Sequence, residues 1–100
     1  MDVEYRIDKD SFVIACIEDE TNEGVKLTDE LNRLESIGYL YSQTALDIAM
    51  DARKRLIKIR KLTDCLNDQY KNELNIDKLE ASIQGLNTTI AIIEYKLKES

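Results

Sequence analysis

The chain contains no histidine, no proline and no tryptophan, and only three of its 100 residues are glycine. The missing histidine removes the commonest general base and the commonest metal ligand. Neither a Cys-x-x-Cys pair nor a glycine-rich phosphate loop occurs in the sequence, so the usual zinc and nucleotide motifs are missing too. The sequence therefore predicts a protein that is not an enzyme, with no catalytic residues, no metal site and no cofactor.

Long apolar stretches are also missing. The longest one, residues 12–17, has six residues, whereas a membrane-spanning helix needs about 20. The N-terminal sequence MDVEYRIDKD lacks the basic-then-apolar order of a signal peptide. We therefore expect a cytoplasmic protein that does not associate with membranes, with Cys16 and Cys65 reduced.

The first 17 residues have the pattern of a β-hairpin. Residues 2–7 alternate between apolar and polar side chains, and residues 12–17 are rich in β-branched ones. Because the second strand is apolar on both faces and a lone hairpin is marginal in water, we expect it to pack on a helix or against a second chain. This predicts a homo-oligomer, most simply a dimer. The residues expected at that contact are Phe12, Ile14 and Ile17.

The rest of the chain predicts helices. We expect an acidic loop at 18–26, a short helix at 27–37, a long helix at 40–71 and a C-terminal helix at 76–98. Gly38 either ends the short helix or is tolerated within a longer one, and the pattern allows both. The predicted class is α+β, mostly α: one domain, residues 1–100, with an N-terminal β-hairpin, a short helix and a long antiparallel helical hairpin.

The C-terminal helix carries a coiled-coil-like seam, with apolar residues at alternating spacings of three and four. A fold-back near residues 72–75 would place this seam on the preceding helix, with Ile90 facing Ile59. One continuous helix pairing with a second chain is the alternative. The flanking positions lack opposed charges, which favours the antiparallel hairpin. The seam residues are Ile76, Leu79, Ile83, Leu86, Ile90, Ile93 and Leu97.

Positive charge is concentrated in one segment. Six of the fourteen basic residues lie at positions 53–61, although the net charge is −6. On a helical wheel Lys54 and Lys61 point away from the apolar stripe, with Arg53 and Lys58 on either side. This basic face can bind a protein partner or nucleic acid, or it can be merely solvated. Nucleic acid is disfavoured because residues 1–50 carry a charge of −8 and no aromatic residue interleaves the basic ones to stack bases.

Two smaller patterns bear on binding. Residues 19–30 resemble the calcium loop of an EF-hand in three positions, but Thr21, Glu23 and Lys26 depart from it, which favours an acidic linker. Tyr39 and Tyr41 can line a partner site, although tyrosines more often cover the core with their hydroxyls in water. The predicted partner-binding residues are Arg53, Lys54, Lys58, Lys61, Tyr39 and Tyr41.

These observations predict a small oligomeric adaptor or regulator that binds a protein partner of unknown identity. Two alternatives stay open. The first is an acidic inhibitor that mimics DNA and blocks a nucleic-acid-binding site of another protein. The second is direct nucleic-acid binding through the basic helix face at 53–61.

Overall fold

The computed structural model describes residues 9–66 and 74–99, and all regular secondary structure within them is helical. Within these two ranges three helices follow one another: α1 (Lys9–Ser36), α2 (Gln43–Thr63) and α3 (Ile76–Glu99). Helix α2 packs against both of its neighbours and runs antiparallel to each of them. The described residues therefore form an up-down-up arrangement of three helices, in which α2 packs against both of the others.

The predicted α+β class and its β-hairpin are wrong for the residues that the structure describes. Residues 12–17 and the expected acidic loop 18–26 both lie inside α1. Val13 and Ile17 are buried whereas Ala15 between them is exposed; a spacing of four fits one face of a helix, and in a strand Ala15 would share the buried face. Packing of this face against α2 overrides the β propensity of the branched residues. The other expected strand, residues 2–7, lies outside the described residues.

Gly38 ends the first helix. Its φ angle is +83°, a left-handed conformation that glycine adopts without the steric cost of a Cβ atom. The amide of Gly38 donates to the carbonyl of Glu35, and that of Tyr39 donates to the carbonyl of Leu34. These are the two hydrogen bonds of a Schellman motif. The question that the sequence left open at Gly38 is thereby answered.

Side-chain caps define the next two helix starts. The Ser42 hydroxyl accepts a hydrogen bond from the amide of Ala45 and caps α2. The Asn75 side chain accepts one from the amide of Lys78 at the start of α3. Helix α2 ends at Thr63, earlier than the expected 71; residues 67–71 lie outside the described part of the chain.

Helices α2 and α3 form an antiparallel hairpin whose register differs from the expected one. Arg53 Nη1 donates to Asn87 Oδ1 at 3.0 Å, and Arg60 Nε donates to Glu80 Oε1 at 2.9 Å. The residue numbers in each pair total 140, whereas a fold-back near 72–75 required 149. The last residue of α2 and the first of α3, Thr63 and Ile76, total 139, which agrees with this register. Ile90 accordingly belongs to a different cluster from Ile59.

The core consists of two apolar clusters placed along α2. The first lies near the α1–α2 connection and contains Leu31, Leu34, Ala45, Leu46, Ala49, Ile90 and Ile93. The second lies toward the other end of α2 and contains Val13, Ile17, Ile59 and Leu66. Alanines at the first cluster allow α2 to approach its neighbours closely, since they are the smallest side chains there.

Candidate functional site

The outward side of α2 carries alternating apolar and basic side chains. Met50, Lys54, Ile57 and Lys61 follow one another at spacings of four, three and four, so they form a single stripe on the helix. All four are exposed, Met50 by 41% and Ile57 by 36%. Ile59, which is buried, follows Met50 by nine residues, about 180° around the helix. We call this stripe the outer face of α2.

The other four basic residues of the segment 53–61 each have a side-chain partner. Arg53 donates to Asn87, and Arg60 pairs with both Glu80 and Asp64. Arg55 and Lys58 donate to the two carboxylate oxygens of Glu20, at 3.0 and 2.9 Å. These four residues therefore fix α2 against its neighbours or stabilise its own last turns.

Lys54 and Lys61 differ from those four residues. Within residues 9–66 and 74–99 neither ammonium group has a carboxylate partner or a hydrogen-bond acceptor. Each stands beside an exposed apolar side chain of the outer face, and the same surface forms a shallow depression of about 660 Å³. The structure thus leaves two cations, which alternate with two exposed apolar side chains along one stripe, open to a partner.

Glu20 is the residue of this region that the sequence analysis missed. Its side chain is only 12% exposed, and the Lys58 ammonium, followed by the Arg55 guanidinium, holds the pKa of its carboxyl below the ordinary value despite partial burial. Both cations lie more than 30 positions away in the sequence. Because Arg55 and Lys58 are three residues apart on one helix, the sequence predicts that both can reach a single carboxylate. It does not predict that this carboxylate belongs to Glu20, because that depends on the register of α1 on α2.

A groove runs between α1 and α3 on the side of the molecule opposite the outer face of α2. Its volume is about 680 Å³, and Leu56 and Ile59 of α2 form part of its floor. Gly24 on α1 and Gly85 on α3 lie in its two walls, and a Cβ atom at either position would meet nothing within 4 Å. The groove is open because α1 and α3 each pack closely on α2 but make few contacts with each other.

The charged side chains lining the groove are both acidic. Asp29 and Glu35 belong to its α1 wall. In the described part of the chain neither carboxylate has an ion-pair partner, in contrast to Glu23, which pairs with Lys26, and Glu30, which pairs with Arg33. The groove therefore combines an apolar floor with an unneutralised negative wall.

The remaining predicted residues lie apart from this surface. Tyr39 and Tyr41 are in the α1–α2 connection, 62% and 53% exposed, and the Lys96 ammonium stands 5.7 Å from the centre of the Tyr41 ring. This contact ties the connection to α3.

The three residues predicted to mediate oligomerisation are distributed around α1. Ile17 is buried in the second cluster and Ile14 packs against that cluster, while Phe12 is exposed. All three are helical, so the sheet edge that motivated their choice does not exist.

The structure also bears on metal and membrane binding. No group of three or more Cys, Asp or Glu side chains that could hold a metal ion occurs in residues 9–66 and 74–99. Residues 19–30 lie within α1, where a continuous helix cannot wrap its side chains around a calcium ion. None of the helices in the described ranges is both long and apolar enough to cross a membrane. Cys16 and Cys65 are free thiols.

Comparisons of the chain with known protein families, with curated proteins and with solved structures gave no match.

Proposed function

We propose that the chain is a non-enzymatic protein-interaction module of the cytoplasm that binds an acidic, amphipathic helical surface through the outer face of α2. One observation carries the proposal: the two cations without partners, Lys54 and Lys61, alternate with the exposed apolar side chains of Met50 and Ile57 on one stripe. The cytoplasmic placement rests on the composition and agrees with the two free thiols.

The chemistry of the stripe favours a helical partner. Residues at i, i+4, i+7 and i+11 alternate spacings of four and three, as do the seam positions along which one helix packs on another. Burial of Met50 and Ile57 would supply most of the binding free energy, because exposed ion pairs contribute only about 0–1 kcal/mol each. The two lysines would then select an acidic partner and set its register.

Nucleic acid fits this surface less well. Four of the six basic residues at 53–61 already have side-chain partners, so few charges are left to neutralise phosphates. A DNA mimic fits less well for a related reason. Glu20, Glu23 and Glu30 are each ion-paired within the chain, which interrupts the continuous row of carboxylates that such a mimic would present.

A labelled synthetic peptide tests the proposal. The probe is an acidic helix about three heptads long, with Leu at the a and d positions and Glu beside them, and its fluorescence anisotropy is followed at physiological salt. Lys54→Glu with Lys61→Glu should weaken binding about tenfold or more, equivalent to about 1.4 kcal/mol. The matched control is Lys78→Glu with Lys98→Glu, two exposed lysines of α3. It makes the same change in net charge and should bind the peptide like the parent protein.

Circular dichroism must show that both double variants keep the parental helix content. Lys58 is left unchanged because its contact with Glu20 belongs to the fold. Equal affinity of the parent and the Lys54/Lys61 variant for the peptide would refute the proposal. If instead the parent shifts a DNA duplex at physiological salt and the Lys54/Lys61 variant does not, nucleic-acid binding replaces it.

A further inference from the structure

The outer face of α2 and the α1–α3 groove are complementary surfaces on opposite sides of one molecule. We propose that the partner of the outer face is a second copy of this chain, whose α1–α3 groove receives it, so that copies associate head to tail. This inference rests on the proposed function and names the partner for the same surface.

The charges of the two surfaces are opposite in sign. Lys54 and Lys61, seven residues apart, lie on one side of α2 with a rise of about 10.5 Å between them. Asp29 and Glu35, six residues apart, have a rise of about 9 Å between them and project about 120° from each other around α1. In the described residues all four side chains are without an ion-pair partner in their own chain. Docking the stripe in the groove would place the two cations against an acidic wall and the two apolar side chains against the apolar floor.

The shape and polarity of the groove also suit the stripe. Its floor is apolar, and its volume of about 680 Å³ leaves room for the side chains of Met50 and Ile57. The threonine hydroxyls of the groove do not need a hydrogen-bond partner from the incoming α2 helix. Thr21, Thr28 and Thr89 each donate to the carbonyl four residues earlier in their own helix. Gly24 and Gly85 leave the walls without side chains where the partner helix would approach.

The position of the two surfaces determines the kind of assembly. A two-fold symmetric dimer would require each copy to present both surfaces to the other at once, but here they face opposite directions. The contact is therefore heterologous, and heterologous contacts form rings or open chains of copies. We expect assembly that grows with concentration and weakens as salt screens the lysine–carboxylate pairs.

Charge reversal on each surface separately provides the test. The face variant is Lys54→Glu with Lys61→Glu, and the groove variant is Asp29→Lys with Glu35→Lys. In either variant alone the two surfaces carry the same sign, so sedimentation velocity should show loss of the assemblies that the parent forms. The matched controls are Lys78→Glu with Lys98→Glu and Glu18→Lys with Asp19→Lys, which change exposed charges outside both surfaces and should assemble like the parent.

Recombining the variants makes the test specific. The face variant has an acidic face and an acidic groove, and the groove variant has a basic face and a basic groove. In an equimolar mixture each surface of one variant therefore finds a surface of opposite charge on the other variant, and the mixture should assemble again. A chain carrying all four reversals has a net charge of −6, like the parent, and should assemble by itself. Circular dichroism of each variant separates loss of contact from loss of fold.

The possible outcomes separate this inference from the proposed function. A parent protein that stays monomeric at several hundred micromolar overturns head-to-tail association, and so does a mixture that stays monomeric although both variants are folded. If the acidic peptide still binds the outer face in that case, the proposed function stands and its partner is another protein. If the parent assembles and the face variant assembles equally well, the outer face is not the contact between copies and head-to-tail association is overturned, while the proposed function is decided by the peptide experiment alone.

Discussion

At the scale of single residues, Glu20 shows how a charged side chain can belong to a helix interface. Positions 10, 13, 17, 20, 24, 27, 31 and 34 of α1 follow one another at spacings of three and four, and Glu20 stands in the middle of this series. Its carboxylate is accepted there because the long side chains of Arg55 and Lys58 reach it from α2. A charged residue at an interface position interrupts the apolar periodicity of the sequence. The apolar pattern therefore predicts a shorter α1 interface than the structure has.

The lowered pKa of Glu20 makes a prediction about acid stability. Since the folded-state pKa lies below the unfolded value of about 4.3, the carboxylate stabilises the fold above that value, and this stabilisation is lost as the pH falls through the folded-state pKa. Glu20→Gln should therefore lower the free energy of unfolding at pH 7 by about 1 kcal/mol, a modest figure because solvent screens Lys58. As the pH falls through the folded-state pKa of Glu20, the variant and the parent should approach each other in stability.

Urea unfolding at pH 7, 5 and 3, followed by circular dichroism, measures this difference. Glu18→Gln is the control, because Glu18 is exposed on the same helix and has no ion-pair partner among the described residues. A destabilisation by Glu20→Gln that is the same at all three pH values would show that the side chain acts through packing and not through its charge.

At the scale of helices, α3 could be predicted from the sequence and most of α1 could not. The seam of α3 is apolar at every position from Ile76 to Leu97, so its period is unmistakable. The seam of α1 contains Asp10, Glu20 and Gly24, and the β-branched run at 12–17 resembles a strand when it is considered without its neighbours. The register of α2 on α3 also could not be predicted from the sequence. It depends on where α2 ends, and no proline or glycine marks that point.

Gly38, just after the end of α1, and Gly85, inside α3, should change the stability of the protein in opposite directions when each is replaced by alanine. Gly38→Ala should destabilise the protein by about 1–2 kcal/mol, because its φ of +83° is unfavourable for a residue with a Cβ. Gly85→Ala should stabilise it by about 0.5–1 kcal/mol, since Gly85 lies inside α3 and its Cβ would meet nothing within 4 Å.

Urea midpoints of the two variants, measured in dilute solution where assembly is absent, check the pair. Gly38→Asn serves as a graded control, because asparagine tolerates the left-handed conformation better than alanine and should lose less stability. A stabilising Gly38→Ala would mean that the last turn of α1 rearranges, and a destabilising Gly85→Ala would mean that the groove is closed in solution.

At the scale of the whole molecule, the distribution of charge explains why α2 is the shared element. Helix α1 carries three basic and eight acidic residues, α2 six and two, and α3 three and four, which gives net charges of −5, +4 and −1. The imbalance between the halves of the chain indicates from the sequence alone that they attract each other. It does not indicate that the acidic wall at Asp29 and Glu35 would remain open, because that depends on how far α1 and α3 stand apart on α2 in three dimensions.

The two core clusters should nevertheless unfold as one unit, because α2 runs through both. Ala49 in the first cluster and Ile59 in the second are ten residues apart, about 15 Å along the helix. Ile93→Val and Ile17→Val each remove one buried methylene and should cost about 0.5–1.5 kcal/mol. The losses in the free energy of unfolding should add within about 0.5 kcal/mol, because the two sites are far apart and share no partners.

Urea unfolding followed by circular dichroism and by tyrosine fluorescence should give a single, coincident transition for the parent, both single variants and the double variant. Two separated transitions, with each substitution shifting only one of them, would show instead that the halves of the bundle fold independently and that α2 does not couple them.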